Sequence, residues 1–232
     1  MTPADLLTTF RDEVADTARP YLWSDEEVIR YLNEAQMSFV HIMGGIPDAT
    51  SAITSVTYTE LQEFIPISPR ILKLRSVIRD SDGMPVKIRN YEEYYDSHTP
   101  VFPTNEYGLL AREVVTGLSQ DAIRVIPVIP IGTDEEEEDP EHVHATATLR
   151  LAVDRLPEEI TMQSTALELD SQYHFQLLSG MKMLAYKKHD ADTFDATKAG
   201  NYETEFLRYA NEAKLDRQKR EHKYRSIKYG GI

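Results

Sequence analysis

Apolar residues repeat at two incompatible periods along this chain, and the period changes twice. Val28, Leu32, Ala35, Phe39 and Ile42, with Met43 beside them, fall on one face of a 3.6-residue helix. Between about 52 and 160 that period fades, while β-branched residues and prolines rise. There Val143, Ala145, Ala147, Leu149, Leu151 and Val153 alternate with His144, Thr146, Thr148 and Arg150, the period of a half-buried strand. From about Leu167 the helical period returns in Tyr173, Leu177, Met181 and Leu184, then in Tyr202, Phe206, Tyr209 and Ala213. Apolar stripes at both chain ends need a common core, and four helices can share one. The predicted class is α+β: a helical bundle from both termini (1–50 and 165–225) with an inserted antiparallel β domain (51–164). Residues 226–232 are expected to form a flexible tail.

Local signals place the element ends. In "LWSDEEVIRYLNEAQ", Ser24 is an N-cap and Glu27 closes a capping box. Asp25, Glu26 and Glu27 put negative charge on the positive end of the helix dipole. Trp23 and Val28 then occupy the two positions of a hydrophobic staple. Gly44-Gly45 ends this helix and Pro47 prevents its resumption. An earlier helix is predicted from Pro3 to Ala18, capped by Thr2 and stopped by Arg19-Pro20. "ILKLRSVIRD" and "MPVKIRN" flank Asp82-Gly83 as a hairpin. Ala122 to Ile129 reads as a strand whose Pro127 suits an edge or a bulge. Asn90 to Ser97 reads as a short helix, and Asn105 to Leu118 fits either strand or helix. Asp195 caps the last helix.

Composition excludes several classes. The 232 residues include no cysteine, which removes disulfides, thiolate zinc sites and cysteine nucleophiles. No apolar run reaches the ~18 residues of a membrane span, and the acidic, amphipathic first residues lack the basic start of a secretory signal. The net charge of −14 is unevenly spread. From Lys214 onward seven Lys/Arg face Asp216 and Glu221, so that segment is +5 and the body carries −19. An acidic body repels nucleic acid, whereas a basic terminus is either a solvated helix end or an arm for an acidic surface.

Four stretches carry possible chemistry. Asp134, Glu135, Glu136, Glu137, Glu138 and Asp139 form a run whose mutual repulsion favours an extended, solvated loop, or an acidic surface past which DNA slides. It lacks the spaced ligands and turn glycine of a calcium loop. His142 and His144 share one side of a strand, as two metal ligands or as an exposed face. His189, Asp190, Asp192 and Asp195 lie between two helices; they suit turns and caps, and paired carboxylates also support metal-dependent hydrolysis. Gly-rich phosphate loops, the His-Glu-x-x-His helix and the nucleophile elbow do not occur, which argues against an enzyme and implies no cofactor. Finally, "KLDRQKREHKYRSIKYGGI" interleaves basic residues with tyrosines, as nucleic-acid arms and protein-docking arms both do.

Two stretches of the chain together resemble a known family. The aromatic residue, capping box and helix of "LWSDEEVIRYLNEAQ" resemble the opening of head-to-tail adaptor (connector) proteins of short-tailed bacteriophages. The closing helix pair from Leu169 to Glu221, with its Asp190-to-Asp195 link, is similar to theirs. The resemblance implies a structural virion protein at the head–tail junction, synthesised in the host cytoplasm. It implies a ring, usually of twelve copies, joining the portal protein to a tail nozzle or tail tube protein. DNA would pass through the centre without specific binding. On that reading Lys219, Arg220, Tyr224, Arg225, Lys228 and Tyr229 contact the portal, Trp23, Val28 and Leu32 set subunit packing, and the Asp134–Asp139 run forms an acidic surface or channel. Two alternatives stay open: a metal-dependent hydrolase using Asp190, Asp192 and Asp195, and a DNA-end-binding module using the basic tail.

Overall fold

The structure is a computed structural model that describes residues 1–59, 62, 64–96, 111–126, 146–190 and 192–221. It is mixed α+β, and its residues divide into two compact units: Met1–Gly45 with Leu156–Ile232, and Ile46–Arg155. The junctions fall at 45/46 and 155/156; the expectation above drew them at 50/51 and 164/165.

The first unit holds helices α1 (Pro3–Glu13), α2 (Asp25–Met43), α4 (His174–Lys187) and α5 (Ala196–Glu221). The predicted capping box of Ser24 and Glu27 forms, and Thr2, expected only as an N-cap, closes a second one with Asp5. Thr2 accepts from the Asp5 N–H and Asp5 from the Thr2 N–H; Ser24 and Glu27 exchange the same pair. Gly44 ends α2 in the left-handed conformation at φ 95°. Asp195 accepts from the N–H groups of Thr197 and Lys198 and so starts α5.

The end of α1 departs from expectation. The helix stops at Glu13, and Ala15 adopts a φ of 57°. The cause is the neighbouring buried charge. The Arg11 guanidinium bonds Asp16 at 2.7 Å, Asp25 at 2.5 Å and the Trp23 carbonyl at 3.0 Å, and it lies 3.7 Å from the Tyr21 ring centroid. Bending the chain back after Glu13 satisfies these groups, and continuing the helix to Ala18 would carry Asp16 past them.

The second unit contains strands β1 (Ile46–Asp48), β2 (Ser55–Thr59), β3 (Phe64–Pro66), β4 (Ile71–Arg79), β5 (Pro85–Asn90), β6 (Glu113–Thr116), β7 (Ala122–Ile126) and β8 (Thr146–Arg155), with the short helix α3 (Tyr91–Asp96). The sheet runs β1-β8-β4-β5-β6-β7-β3, with β2 also on β8, and curls into a half-barrel. β8 is its axis: Leu149, Leu151 and Val153 are buried, while Thr146 and Arg150 are exposed. The β4–β5 hairpin turns at Asp82-Gly83 as expected, with Gly83 at φ 69° and Asp82 accepting from the Met84 N–H.

The sheet is not wholly antiparallel, which corrects the expectation. β5 and β6 pair in parallel, Lys87 to Asn90 against Glu113 to Thr116. Parallel neighbours need a long crossover, and residues 91–112, which begin with α3, supply it. The predicted strand extension past Ile126 and the first part of the 105–118 stretch lie outside the described residues.

Candidate functional site

Three features of the helical unit bear on function, and each is built from contacts between residues far apart in sequence. The first is the seat of Trp23, which is 1% exposed. Its ring meets Phe10 of α1 edge-on at 5.9 Å and Tyr186 of α4 edge-on at 5.9 Å. Val28 and Leu32 are fully buried. The three side chains expected to set subunit packing are therefore spent inside the subunit, and any effect on a neighbour passes through the placement of α2.

The second feature is the outer face of α2. An extended segment, Leu156 to Ile160, lies along it, held by two amide side chains. Asn33 donates to the Ile160 carbonyl and accepts from its N–H, both at 2.7 Å; Gln36 donates to the Glu158 carbonyl at 3.1 Å. Between helix and segment runs a groove of about 640 Å³, with Ile29, Met37 and Ile160 against Glu26, Glu34 and Glu159. A second hollow of about 450 Å³ shares Met37 and Ser38 and adds His41, Ile42 and Leu156.

The third feature is the end of α5. Phe206, Ala210 and Ala213 are buried, and then the helix becomes a polar rod. Arg217 ties that rod to α2: its Nη1 donates to the Gly45 carbonyl and its Nε to Glu221 at 2.8 Å. Lys219, paired to Asp216 at 3.0 Å, and Arg220 are exposed in the last turn. An ion pair so exposed contributes little to stability, which leaves both cations available to a partner.

A family model described as SU10 adaptor protein matches residues 1–227. The chain belongs to the SU10 adaptor protein family. This is a phage head–tail adaptor family, so the chain is a structural virion component that interacts with other head–tail proteins. No curated protein matches it. No described helix is long and apolar enough to cross a membrane.

In this SU10 adaptor protein the link between α4 and α5 does structural work. Asp195 is the cap of α5, Asp190 lies 4.0 Å from the Lys188 ammonium, and the His189 ring stacks on Phe194 at 4.7 Å. Among the described residues no three His, Asp or Glu side chains gather as a metal site. Lys188 also donates to Glu27 at 2.8 Å, which with the Ser24 N–H holds the Glu27 carboxyl below its ordinary range although burial opposes this. Asp134–Asp139, His142, His144, Tyr224, Arg225, Lys228 and Tyr229 lie outside the described residues.

Sequence reading missed Asn33, Gln36 and Arg217. Asn33 and Gln36 are polar residues within an otherwise apolar-periodic helix, and that mismatch was the available signal. Arg217 was visible only as one more cation of a basic run.

Proposed function

We propose that this chain is a ring-forming adaptor, of twelve copies, that joins the portal to the tail nozzle or tube while DNA passes through its centre. The observation that carries the reading is the construction of α5. The helix is packed as far as Ala213, pinned to α2 by Arg217, and then presents an exposed basic turn leading into a Tyr- and Arg-bearing segment. An arm that is rooted rigidly and ends in Tyr and Arg is suited to anchoring in a protein partner. Helices from both termini meeting at Trp23–Tyr186 and Phe39–Phe206 support a bundle that serves as the ring wall.

The net charge of −14 per copy fits a bore that does not retain a phosphate backbone, since sequence-independent affinity comes from neutralising phosphates with Lys and Arg. The Asp134–Asp139 run would add to that acidic surface. Portal contact is assigned to Lys219, Arg220, Tyr224, Arg225, Lys228 and Tyr229. Trp23, Val28 and Leu32 act on subunit packing through the orientation of α2.

The test is co-sedimentation with portal rings. The full chain is expected to move from low mass to a large ring beside portal protein. A chain ending at Glu221 and carrying Lys219→Ala and Arg220→Ala should stay unbound while keeping its thermal unfolding midpoint. Undiminished binding by that variant rejects the assignment. Salt-sensitive binding of the full chain to DNA ends, in place of portal binding, would favour a DNA-end module.

A further inference from the structure

We infer that the groove on the outer face of α2 receives the exposed side of α5 from a second copy of this chain. The inference rests on the ring reading above and names the two surfaces that meet between neighbours. The first is the groove itself. Its floor is apolar, with Ile29, Met37 and Ile160, and Glu26, Glu34 and Glu159 stand on its rim. Those three carboxylates are exposed and have no ion pair among the described residues. Against them stands one lining guanidinium, Arg30, which lies 3.9 Å from Glu27. The groove is therefore an apolar slot with a negative surplus.

The exposed side of α5 is its complement. Phe206, Ala210 and Ala213 are buried against the subunit's own helices, and Leu207, Asn211, Lys214 and Leu215 share the side left to solvent. Leu207 is 43% exposed and Leu215 54%, about two turns apart. Arg208 and Lys214 flank them. Arg208 meets Glu212 at 3.5 Å with both side chains more than half exposed, a weak pair, and Lys214 has no ion pair among the described residues. Gly200 falls on the same side and gives an independent sign. Glycine weakens a helix interior relative to alanine, yet a Cβ at Gly200 would meet nothing within 4 Å, whereas one at Gly180 would strike Phe206 and Ala35. Nothing inside the subunit requires the missing side chain at Gly200, and close approach from outside the subunit accounts for it.

The two surfaces match in direction and length. α5 runs parallel to α2, since Phe206 meets Phe39 and, farther along both helices, Arg217 meets the Gly45 carbonyl. At the helical rise Gly200 to Leu215 spans about 22 Å, and Ile29 to Ile42, where the second hollow lies, about 20 Å. Slot and ridge are different patches of one chain, so copies join head to tail. Such a contact closes into a ring when its rotation allows, whereas a self-complementary patch stops at a dimer. Trp23, Val28 and Leu32 then bear on assembly by fixing the helix that carries the slot.

The chain has no native cysteine, so two singly substituted full chains report the contact: Ser38→Cys in the groove and Asn211→Cys on α5, both at exposed positions. They are mixed and mildly oxidised, once alone at high concentration and once beside portal rings. Mixed disulfides should exceed by several-fold those that either chain forms with itself. Leu207→Ser with Leu215→Ser in the α5 partner should cut the mixed yield several-fold. Glu26→Lys with Glu34→Lys in the groove partner should do the same, and Arg208→Glu with Lys214→Glu opposite that variant should restore much of it. An unchanged thermal midpoint shows that each variant is folded. No mixed disulfide under either condition, a mixed yield no greater than self-linkage, or a yield indifferent to the leucine and charge substitutions would overturn the interface. Portal co-sedimentation is a separate readout. Portal binding without the mixed link removes this interface and leaves the portal-joining role standing, and the mixed link without portal binding does the reverse.

Discussion

Gly180 of α4 approaches Phe206 of α5 so closely that a Cβ built on it would lie 2.7 Å from the ring's Cε2 and 2.9 Å from the Ala35 Cβ on α2. Three helices thus converge on a position where no side chain fits. The residue costs helix propensity, about 1 kcal/mol against alanine, and the close approach offsets it.

Gly180→Ala measures that balance. The propensity gain of about 1 kcal/mol is opposed by overpacking of roughly 1–3 kcal/mol. The Ala35 Cβ has no rotamer with which to yield, so overpacking wins. The variant should unfold at lower denaturant with an unchanged slope, and a rise in midpoint would show that the Phe206 ring moves aside freely.

Trp23→Ala removes the largest fully buried side chain and its edge contacts with Phe10 and Tyr186. The expected loss is about 3–5 kcal/mol. Trp23→Phe should lose less, because an aromatic ring remains between the two partners. Under the proposed function ring assembly should decline in the same order, read by sedimentation velocity at a temperature where all variants remain folded. Unimpaired assembly by a folded Trp23→Ala chain would detach this residue from subunit packing.

Asp48 provides a pH-dependent contribution within the β unit. Burial disfavours its charged form, but bonds from Ser51, the Thr50 N–H at 2.9 Å and Arg155 at 2.5 Å outweigh it and hold the carboxyl well below the usual range. A depressed folded-state pKa gives stability that is complete above the unfolded value of about 4 and is lost as pH falls below it. The β unit should therefore lose stability steeply from about pH 4 downward. Asp48→Asn should be less stable at pH 7 and show a shallower acid loss. An unchanged acid slope in denaturant titrations would contradict this.

Asn33→Ala leaves the Ile160 N–H and carbonyl without the two 2.7 Å bonds that hold the segment on α2. Ile160 is 5% exposed, so the deserted groups are poorly placed to find water, and the cost should be about 1–3 kcal/mol. Hydrogen exchange at the Ile160 amide should accelerate well beyond that of the α5 core amides. Equal acceleration throughout the unit would mean global destabilisation and no local clasp.

The alternation of β8, the Asp82-Gly83 hairpin and all three N-caps were legible in the chain because each arises from residues within a few positions of one another. The basic run at the end of α5 was equally plain. Early termination of α1, the parallel β5–β6 pair and the Asn33 clasp on Ile160 were not. A capping box is a short-range contact whose partners are set by sequence spacing alone. The clasp joins residues 127 apart, and the Gly180–Phe206 approach depends on how two helices cross. Sequence by itself determined the order of elements, their starts and the segregation of charge. Only the tertiary structure decided which distant backbone groups a side-chain amide would satisfy and where a Cβ had to be missing, because those choices are made by packing against partners that local patterning does not specify.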